Sequence, residues 1–324
     1  MKRAPIALLA ISFVLAGLPC ASVGAEYPPI TVKVTVVKVG DGVYFVQGLP
    51  GVASQANEGF NSNAGFAVTK EGVVVIDALG TPALGSALLK AIRQVTQQPV
   101  KRVILTHYHA DHFYGLPAFQ EAGATIWAHR AALAYFDNGD AANRLVQRSR
   151  DLFPWVDENT RLIRADRWLD KDESFILGGK RFDIVHLGPA HSPEDVVVIV
   201  QGKGGIVFSG DILFTGRLPF VGEADSKRWL QTFSTLLKLK PKLLVPGHGA
   251  VSHAPEQDLK LTFDYLTYLR EVMGKAVAEF MPFEEAYAKT DWSRFSRLPA
   301  FDAGNRINAF GTYLRMEKEM LERK

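Results

Sequence analysis

The stretch that decides the fold is THYHADH at residues 106–112, in which four side chains that can bind a metal ion lie within six residues. Alternate residues of an extended loop point the same way, so His107 and His109 are expected to hold one ion together. Asp111 and His112 lie past the predicted bend and are expected to turn toward a second ion a few ångströms away.

Three further side chains of the same kind follow singly in the second half of the chain. They are His191 in GPAHSP, Asp211 in SGDILF and His248 in PGHG. With the first four they make seven, and they bring in five of the eight histidines of the chain. Histidine nitrogen and carboxylate oxygen are the ligands of zinc-like ions, and a catalytic ion also keeps a position open for water. Seven ligands are too many for one ion and predict two.

The apolar run at residues 100–105, directly before the heptapeptide, has the character of a β-strand. Metal loops at strand ends fit an α/β sandwich, because rigid strands position the loop residues that carry function. The order His-x-His-x-Asp-His followed by a single His, Asp and His resembles the signature of the metallo-β-lactamase superfamily. The resemblance covers nearly all of the chain after residue 25, and it implies a four-layer αββα sandwich, here with a helical C-terminal tail.

The same resemblance implies a role for each candidate residue. The expected metal ligands are His107, His109 and His191 for the first ion, Asp111, His112 and His248 for the second, and Asp211 as the bridge. Asp77, which closes the strand-like run 73–76, stands where the family has a buried aspartate that orients the loop without binding metal. Arg217, six residues beyond Asp211, is a candidate anion contact for substrate, with a surface role as the alternative.

Two finer resemblances concern the second half of the chain. The run GDILF at residues 210–214 is similar to the motif of glyoxalase II, although the spacing before the third histidine is longer here. The loop at residues 188–195 is similar to the periplasmic quinoprotein relay system zinc metallohydrolases. The zinc β-lactamases that use a Cys ligand do not fit, because the only cysteine of the chain is Cys20.

These resemblances predict a secreted, dinuclear zinc hydrolase, with iron or manganese as alternative metals. A metal-bridging hydroxide, oriented by Asp111, would attack a carbonyl carbon, and two ions roughly 3.5–4 Å apart can generate such a hydroxide near neutral pH. The substrate would be a small molecule with an ester, thioester, lactone or lactam bond. The alternatives are a β-lactamase as the main activity, an iron-dependent oxygenase resembling persulfide dioxygenases, and a non-catalytic metal-binding protein.

The first 25 residues are expected to form a signal peptide. Lys2 and Arg3 precede the apolar run 6–18, and the small residues Val23-Gly24-Ala25 suit cleavage after Ala25. An uncleaved membrane anchor is the alternative, but the run is short for a span of about 20 residues. We therefore expect a periplasmic or secreted protein that does not stay in the membrane, with a catalytic domain at residues 26–254 and a helical extension at 255–324 packed on it.

Charge argues against a nucleic-acid partner. Removal of Lys2 and Arg3 lowers the formal net charge from +3 to +1, which provides no electrostatic basis for binding a polyanion. Two segments are candidates for covering the metals: the Gly-, Ser- and Asn-rich loop 49–61, which could equally be a solvated turn, and residues 130–168, an apparent insertion at the rim of the site. The oligomeric state does not follow from the sequence.

Overall fold

The computed structural model describes residues 27–200 and 205–322. The expected signal peptide, residues 1–25, lies outside the described residues. No helix in the described part is both long and apolar enough to cross a membrane.

The first sheet has seven strands that lie side by side in the order of the sequence. The strands are β1 (Val36–Gly40), β2 (Val43–Val46), β3 (Ala64–Thr69), β4 (Gly72–Ile76), β5 (Val100–Ile104), β6 (Thr125–His129) and β7 (Arg167–Leu169). The first four are antiparallel, while β4 to β7 run parallel. Parallel neighbours require crossover connections, and helices supply them here.

The second sheet has five strands, again in sequential order. They are β8 (Glu173–Leu177), β9 (Lys180–His186), β10 (Val196–Val200), β11 (Ile206–Phe208) and β12 (Leu243–Val245). All neighbours are antiparallel except β11 and β12, which are parallel. Strand β10, the sequence VVVIV, is buried at every residue, as expected of a strand covered on both faces.

The helices flank the two sheets. In chain order they are α1 (Pro82–Val95), α2 (Ala110–Phe113), α3 (Leu116–Glu121), α4 (Leu133–Asp137), α5 (Asp140–Asp151), α6 (Ser226–Lys238), α7 (Pro255–Ala278), α8 (Phe283–Lys289) and α9 (Phe301–Leu321). Helix α1 begins as its sequence predicts, because the Thr81 hydroxyl accepts from the Leu84 amide at 3.1 Å and Pro82 occupies the first turn.

Three apolar cores separate the layers. One lies between the sheets and contains Phe45 and Val74 of the first sheet with Phe182 and Val198 of the second. A second core lies between the first sheet and helices α1 and α3, and a third joins the second sheet to α6, α7 and α9. The fold is therefore the αββα sandwich, and its C-terminal helices share a core with the second sheet.

The structure differs from the sequence-based prediction at the first strand. The alternating sequence TVKVTVVKV predicts one strand over residues 31–39, but β1 begins at Val36. The reason is Glu58, whose buried carboxylate accepts hydrogen bonds from the amides of Thr31 and Val32. Those amides are satisfied by a side chain and do not join the sheet.

Candidate metal centre

The predicted ligands gather at one edge of the sandwich because each follows the end of a strand. His107 comes three residues after β5, Asp211 three residues after β11, and His248 three residues after β12. His191 lies in the connection between β9 and β10. Asp111 and His112 belong to the short helix α2, which begins directly after His109.

Four of the seven side chains form a first group. The ligand atoms of His107, His109, His191 and Asp211 all lie within 4.8 Å of one another. The Oδ2 atom of Asp211 is 3.3 Å from His191 Nε2 and 3.9 Å from His107 Nε2. His109 Nδ1 and His191 Nε2 are 2.8 Å apart. These are the residues expected at the first ion, together with the expected bridge.

The second group holds Asp111, His112 and His248, whose ligand atoms also lie within 4.8 Å of one another. Asp111 Oδ2 is 3.4 Å from His248 Nε2 and 4.0 Å from His112 Nε2. These are the three residues expected at the second ion.

Asp211 lies between the two groups. Its Oδ1 is 3.2 Å from His112 Nε2, and its Oδ2 is 3.3 Å from His248 Nε2, so one carboxylate approaches both groups. Gly247 makes this approach feasible, because a Cβ at that position would stand 2.0 Å from Asp211 Oδ1. A residue larger than glycine there would displace the carboxylate.

The hydrogen bonding of the cluster fits bound cations. Among the described residues, His107 Nε2, His112 Nε2 and Asp211 Oδ1 are buried without a hydrogen-bond partner. The last two are close together but not in hydrogen-bonding geometry. A buried polar atom without a partner costs roughly 1–3 kcal/mol. Three such atoms directed at one small space are explained by metal ions that accept their lone pairs.

Partners on the opposite ring nitrogen orient three of the histidines. His112 Nδ1 donates to Asp77 Oδ2 at 2.9 Å, His191 Nδ1 to the Phe220 carbonyl at 3.0 Å, and His248 Nδ1 to the Asn61 carbonyl at 2.7 Å. In each case the lone pair of Nε2 is left to face the cluster. Such partners fix the tautomer and the ring orientation of metal-binding histidines.

Asp77 lies beneath the cluster, as its position after β4 predicts. Its carboxylate accepts from the Thr106 amide and the Thr106 hydroxyl, each at 2.8 Å, and from His112. One buried side chain therefore fixes the first residue of the heptapeptide and the imidazole of a predicted ligand. Of the five predicted histidine ligands it pairs with His112 alone.

The loop 49–61 is tied to the cluster at two points. Asn61 Nδ2 donates to Asp111 Oδ2 at 2.9 Å, and the hydroxyl of the next residue, Ser62, donates to the Asp111 carbonyl. Arg217 also holds this loop: it is 5% exposed and donates to the Gly51 carbonyl at 2.7 Å, with the same nitrogen 3.1 Å from His248 Nδ1. This placement favours a role in holding the loop over contact with substrate.

Two of these contacts had no signal in the sequence. Asn61 lay at the end of a loop singled out only by its composition, and Phe220 acts through its carbonyl, an atom that every residue carries. A side-chain type can be recognised in a sequence, whereas a backbone acceptor can be found only from the fold.

Burial and neighbouring charges set the protonation of the cluster. Burial and then repulsion from His191 lower the pKa of His109 to about 3. Burial also lowers the pKa values of His107 and His191, which leaves these imidazoles neutral. Burial alone would raise the pKa of Asp211, but the histidines around it lower that pKa well below its usual value. Neutral imidazoles and an ionised carboxylate are the forms that bind metal.

His112 differs from the other histidines. Burial opposes its charged form, but the carboxylates of Asp211, Asp77 and Asp111 together raise its pKa well above the usual value. The acidic residues around His112 therefore attract positive charge to this position. A proton provides it in the absence of metal, and a metal ion would replace that proton.

A cavity of about 790 Å³ opens beside His109 and His191. One wall is α4 and α5, the helices of the predicted insertion at residues 130–168, and the opposite wall is the segment 220–225. Ile307 and Arg315 of α9 complete it. The volume lies within the range of pockets for small-molecule ligands, roughly 300–1,000 Å³.

Comparison with known proteins places the chain in a family. The family model of the metallo-beta-lactamase superfamily matches residues 57–248. The chain is 25% identical over 211 residues to metallo-beta-lactamase IND-1 of Chryseobacterium indologenes, which covers 61% of this chain and 78% of that protein. It is 28% identical over 164 residues to hydroxyacylglutathione hydrolase GloC of Haemophilus influenzae, which covers 47% and 69% of the two chains.

A solved structure extends the likeness of fold. The sec-alkylsulfatase Pisa1 of Pseudomonas sp. superposes with a TM-score of 0.65 at 17% identity, over 87% of this chain and 50% of that one. The match of the family model spans six of the seven predicted ligands in one run and ends on the seventh, His248. The chain therefore belongs to the metallo-β-lactamase superfamily, as a metal-dependent hydrolase of that family.

Proposed function

We propose that the protein is a dinuclear zinc hydrolase that cleaves an ester, thioester, lactone or lactam of a small molecule bound in the 790 Å³ cavity. The observation that carries the proposal is the position of Asp211, a buried carboxylate within 3.3 Å of three histidines drawn from both groups. Two groups joined by one carboxylate suit two ions better than one. The names of the relatives, a β-lactamase and a hydroxyacylglutathione hydrolase, support an acyl bond as the target.

The ligand set divides as the groups do. The first ion would be held by His107, His109 and His191, the second by Asp111, His112 and His248, and both by Asp211. When bound, such ions supply an activated water and an electrophile for the scissile carbonyl. The cluster contributes imidazole nitrogens and ionised carboxylates, and most of these side chains are buried away from competing solvent.

Asp111 is suited to orient the attacking water. Its side chain is 15% exposed, against 4% for Asp211, so it is the carboxylate of the cluster that solvent reaches more easily. Its Oδ2 is fixed by the Asn61 amide at 2.9 Å. A fixed, ionised and accessible carboxylate can accept a proton from water in a constant direction.

Four carboxylates and two arginines line the cavity, and one of the arginines is a candidate contact for an anionic group of the substrate. Arg315 is already paired with Asp225. Arg144 of α5 is half-buried and bonded only to the Gln147 amide oxygen at 2.7 Å, with no carboxylate at ion-pair distance in the described part of the chain. We propose that Arg144 binds a carboxylate or a similar anion of the substrate, away from the scissile bond.

The metal content tests the dinuclear proposal. Wild-type protein reconstituted with excess zinc and freed of unbound metal should retain two ions per chain by elemental analysis. Asp211→Ala should retain one or fewer, because the carboxylate that serves both groups is lost. Asp183→Ala is the control, since that carboxylate lies on β9 and bonds Ser174 and Arg181, neither of which is a predicted ligand, and it should leave two ions. Wild-type protein that retains only one ion would end the dinuclear proposal.

A second measurement decides between hydrolysis and oxygen chemistry. Protein purified without added metal should contain zinc, and a chelator should abolish cleavage of thioester and lactone substrates. A single iron per chain, with dioxygen consumption in the presence of a persulfide, would favour the oxygenase alternative.

Comparison of kcat/KM across cephalosporin, thioester and lactone substrates should also rank the acyl bonds that the protein cleaves. We expect kcat/KM for a cephalosporin to lie below that for thioesters or lactones, because a lactam nitrogen is the poorer leaving group and the Asp211 carboxylate adds negative charge between the ions. A cephalosporin value near 10⁶ M⁻¹s⁻¹, within the roughly 10⁴–10⁸ range of efficient enzymes, with slower thioester cleavage, would identify a β-lactamase.

We further propose export to the periplasm with cleavage after Ala25, on the basis of the first 25 residues.

A further inference from the structure

The segment from Pro219 to Gly222 lies between the metal-ligand cluster and the C-terminal helix α9. It has no regular secondary structure. On one side the Phe220 carbonyl accepts from His191 Nδ1 at 3.0 Å. Since this bond directs His191 Nε2 toward Asp211, 3.3 Å away, the position of the carbonyl sets the orientation of a proposed ligand.

On the other side the segment is held by one side chain of α9. Asn308 is fully buried, and its Oδ1 accepts from the Val221 amide at 2.7 Å and the Gly222 amide at 3.2 Å. Its Nδ2 donates to the Pro219 carbonyl at 2.7 Å. The amide of Asn308 therefore binds the backbone on both sides of Phe220 and restricts where the Phe220 carbonyl can lie.

A second contact between α9 and the segment is independent of Asn308. Gly311, one turn further along α9, lies so close that a Cβ there would stand 1.9 Å from the Gly222 carbonyl oxygen. Only glycine permits this distance. The helix and the segment thus touch through backbone as well as through the Asn308 amide.

We propose that Asn308 is a positioning residue for His191, so that the C-terminal helix α9 forms part of the metal centre and is more than a packing element. This rests on the proposed function, in which His191 binds metal. Asn308 acts through the 219–222 segment and touches neither substrate nor metal. Partners one step removed from a metal ligand typically change metal affinity about 10–100-fold when they are lost.

The chain offers a matched control on the same helix. Asn305 is also fully buried, accepts from the Tyr265 hydroxyl at 2.8 Å and donates to the Tyr287 hydroxyl at 3.1 Å. Asn308 donates to the same Tyr265 hydroxyl at 3.0 Å. The two asparagines therefore share a polar network between α7 and α9, but only Asn308 bonds the 219–222 segment.

The experiment compares Asn308→Ala, Asn305→Ala, Gly311→Ala and His191→Ala with the wild type. Zinc dissociation constants are measured by competition with a chromophoric chelator, and the thermal midpoint of the chelator-treated protein is measured in parallel. We expect both asparagine variants to lower the midpoint by similar amounts. Asn308→Ala and Gly311→Ala should weaken one zinc site about 10–100-fold, and Asn305→Ala should leave both sites within about threefold of the wild type.

The outcomes distinguish an error in the proposed ligand set from an error in the positioning role of Asn308. If His191→Ala does not weaken zinc binding, the proposed ligand set is wrong. If His191→Ala weakens it while Asn308→Ala does not, or if the two asparagine variants weaken it equally, the positioning role is wrong. If Asn308→Ala does not fold, Asn308→Asp is measured instead, with Asn305→Asp as its control. Aspartate at residue 308 keeps the oxygen that accepts from the Val221 and Gly222 amides but lacks the N–H that donates to Pro219.

Discussion

At the scale of single residues, Asp77 shows how much the cluster of predicted ligands depends on a side chain outside the seven. It lies in the left-handed region, with φ of 60°, a conformation that aspartate adopts more readily than most residues. This turn at the end of β4 places the carboxylate under the heptapeptide, where it accepts from Thr106 and His112. Any residue without two acceptor oxygens would leave one of these donors buried and unpaired.

Replacement of Asp77 by Asn should weaken zinc binding about 10–100-fold. The amide keeps one acceptor oxygen but presents N–H groups to Thr106 or to His112 Nδ1, both of which are donors. Chelator competition measures the dissociation constants. Asp166→Asn is a suitable control, since its carboxylate accepts from the Ile126 amide in a similar way but has no histidine partner. Equal zinc affinity in wild type and Asp77→Asn would show that a single acceptor oxygen at residue 77 is enough to orient the His112 imidazole.

A pair of histidines outside the cluster carries a consequence for stability. The rings of His129 and His186 stack at 3.8 Å with 9° between their planes. Burial and then repulsion from His186 lower the pKa of His129 from 6.5 to about 4. Between these two pH values the unfolded chain takes up a proton at His129 and the folded chain does not. This difference at His129 lowers the free energy of unfolding as the pH falls from 6.5 toward 4.

His129→Gln should reduce that acid sensitivity, because glutamine does not titrate. We expect chelator-treated wild type to lose more free energy of unfolding between pH 7.5 and 5 than the variant, as measured by urea unfolding at both pH values. The exposed residue His253 provides the control: His253→Gln should keep the pH dependence of the wild type. If the variant loses as much free energy of unfolding as the wild type, the pKa of His129 is the same in the folded and the unfolded chain.

The residue types of the cluster made it predictable from the sequence. Histidine and aspartate at recurring intervals identified seven side chains, and the structure brings all seven together in two adjoining groups. Asn61, Phe220 and Asn308 were not predicted, because their roles depend on a backbone carbonyl or on contacts across 87 or more residues of sequence. Spacing along the chain does not encode such contacts.

At the scale of elements, the structure places the predicted insertion at the cavity. Helix α5 begins at Asp140 and presents Asn143, Arg144 and Gln147 to the cavity beside His109 and His191. Residues three and four apart share one face of a helix, so these side chains form a polar strip on one wall. Arg150, near the C-terminal end of α5, is exposed and does not line the cavity.

Arg144→Met should raise KM for anionic substrates by about tenfold or more, since hydrogen bonds to charged groups contribute roughly 1.5–3 kcal/mol. Methionine keeps much of the apolar stem, so KM for neutral analogues should change little. Steady-state kinetics on a pair of substrates that differ only in a carboxylate or its methyl ester provides the measurement. Arg150→Met should match the wild type on both. An equal rise in KM for the acid and the ester would show that Arg144 only shapes the cavity wall and does not bind the anion.

Some elements follow directly from the sequence. It predicts a helix at residues 116–121 and a strand at the apolar run 196–200, and α3 and β10 have those bounds. Strands β7 and β8 were not predicted, because β7 has only three residues and β8 is a partly exposed edge strand whose exposed residues include Ile176 at 68%. Such strands are defined by the neighbour to which they pair, and a short or mixed sequence pattern does not reveal it.

At the scale of the whole molecule, the C-terminal helices cover the outer face of the second sheet. Leu266, Leu269 and Met273 of α7 are fully buried and belong to the same core as Val197 of β10 and Leu244 of β12. Burial of one such side chain stabilises a protein by roughly 1.5–3 kcal/mol. The helices from residue 255 onward therefore share a core with the second sheet, and loss of one such side chain is a large fraction of the roughly 5–15 kcal/mol by which domains are stable.

A pair of substitutions on α7 tests this contribution without removing the helix. Leu266→Ala should lower the free energy of unfolding by about 2–5 kcal/mol, the range for a leucine truncated inside a core. Phe263→Ala removes a larger side chain three residues earlier, but that side chain is 44% exposed, so the loss should be smaller. Urea unfolding of both variants, zinc-free and followed by tryptophan fluorescence, gives the comparison. If the sandwich were stable alone and α7 merely attached, Leu266→Ala would leave the main transition unchanged. A shift of the single transition, with the slope preserved, would instead show that the helices and the two sheets unfold together.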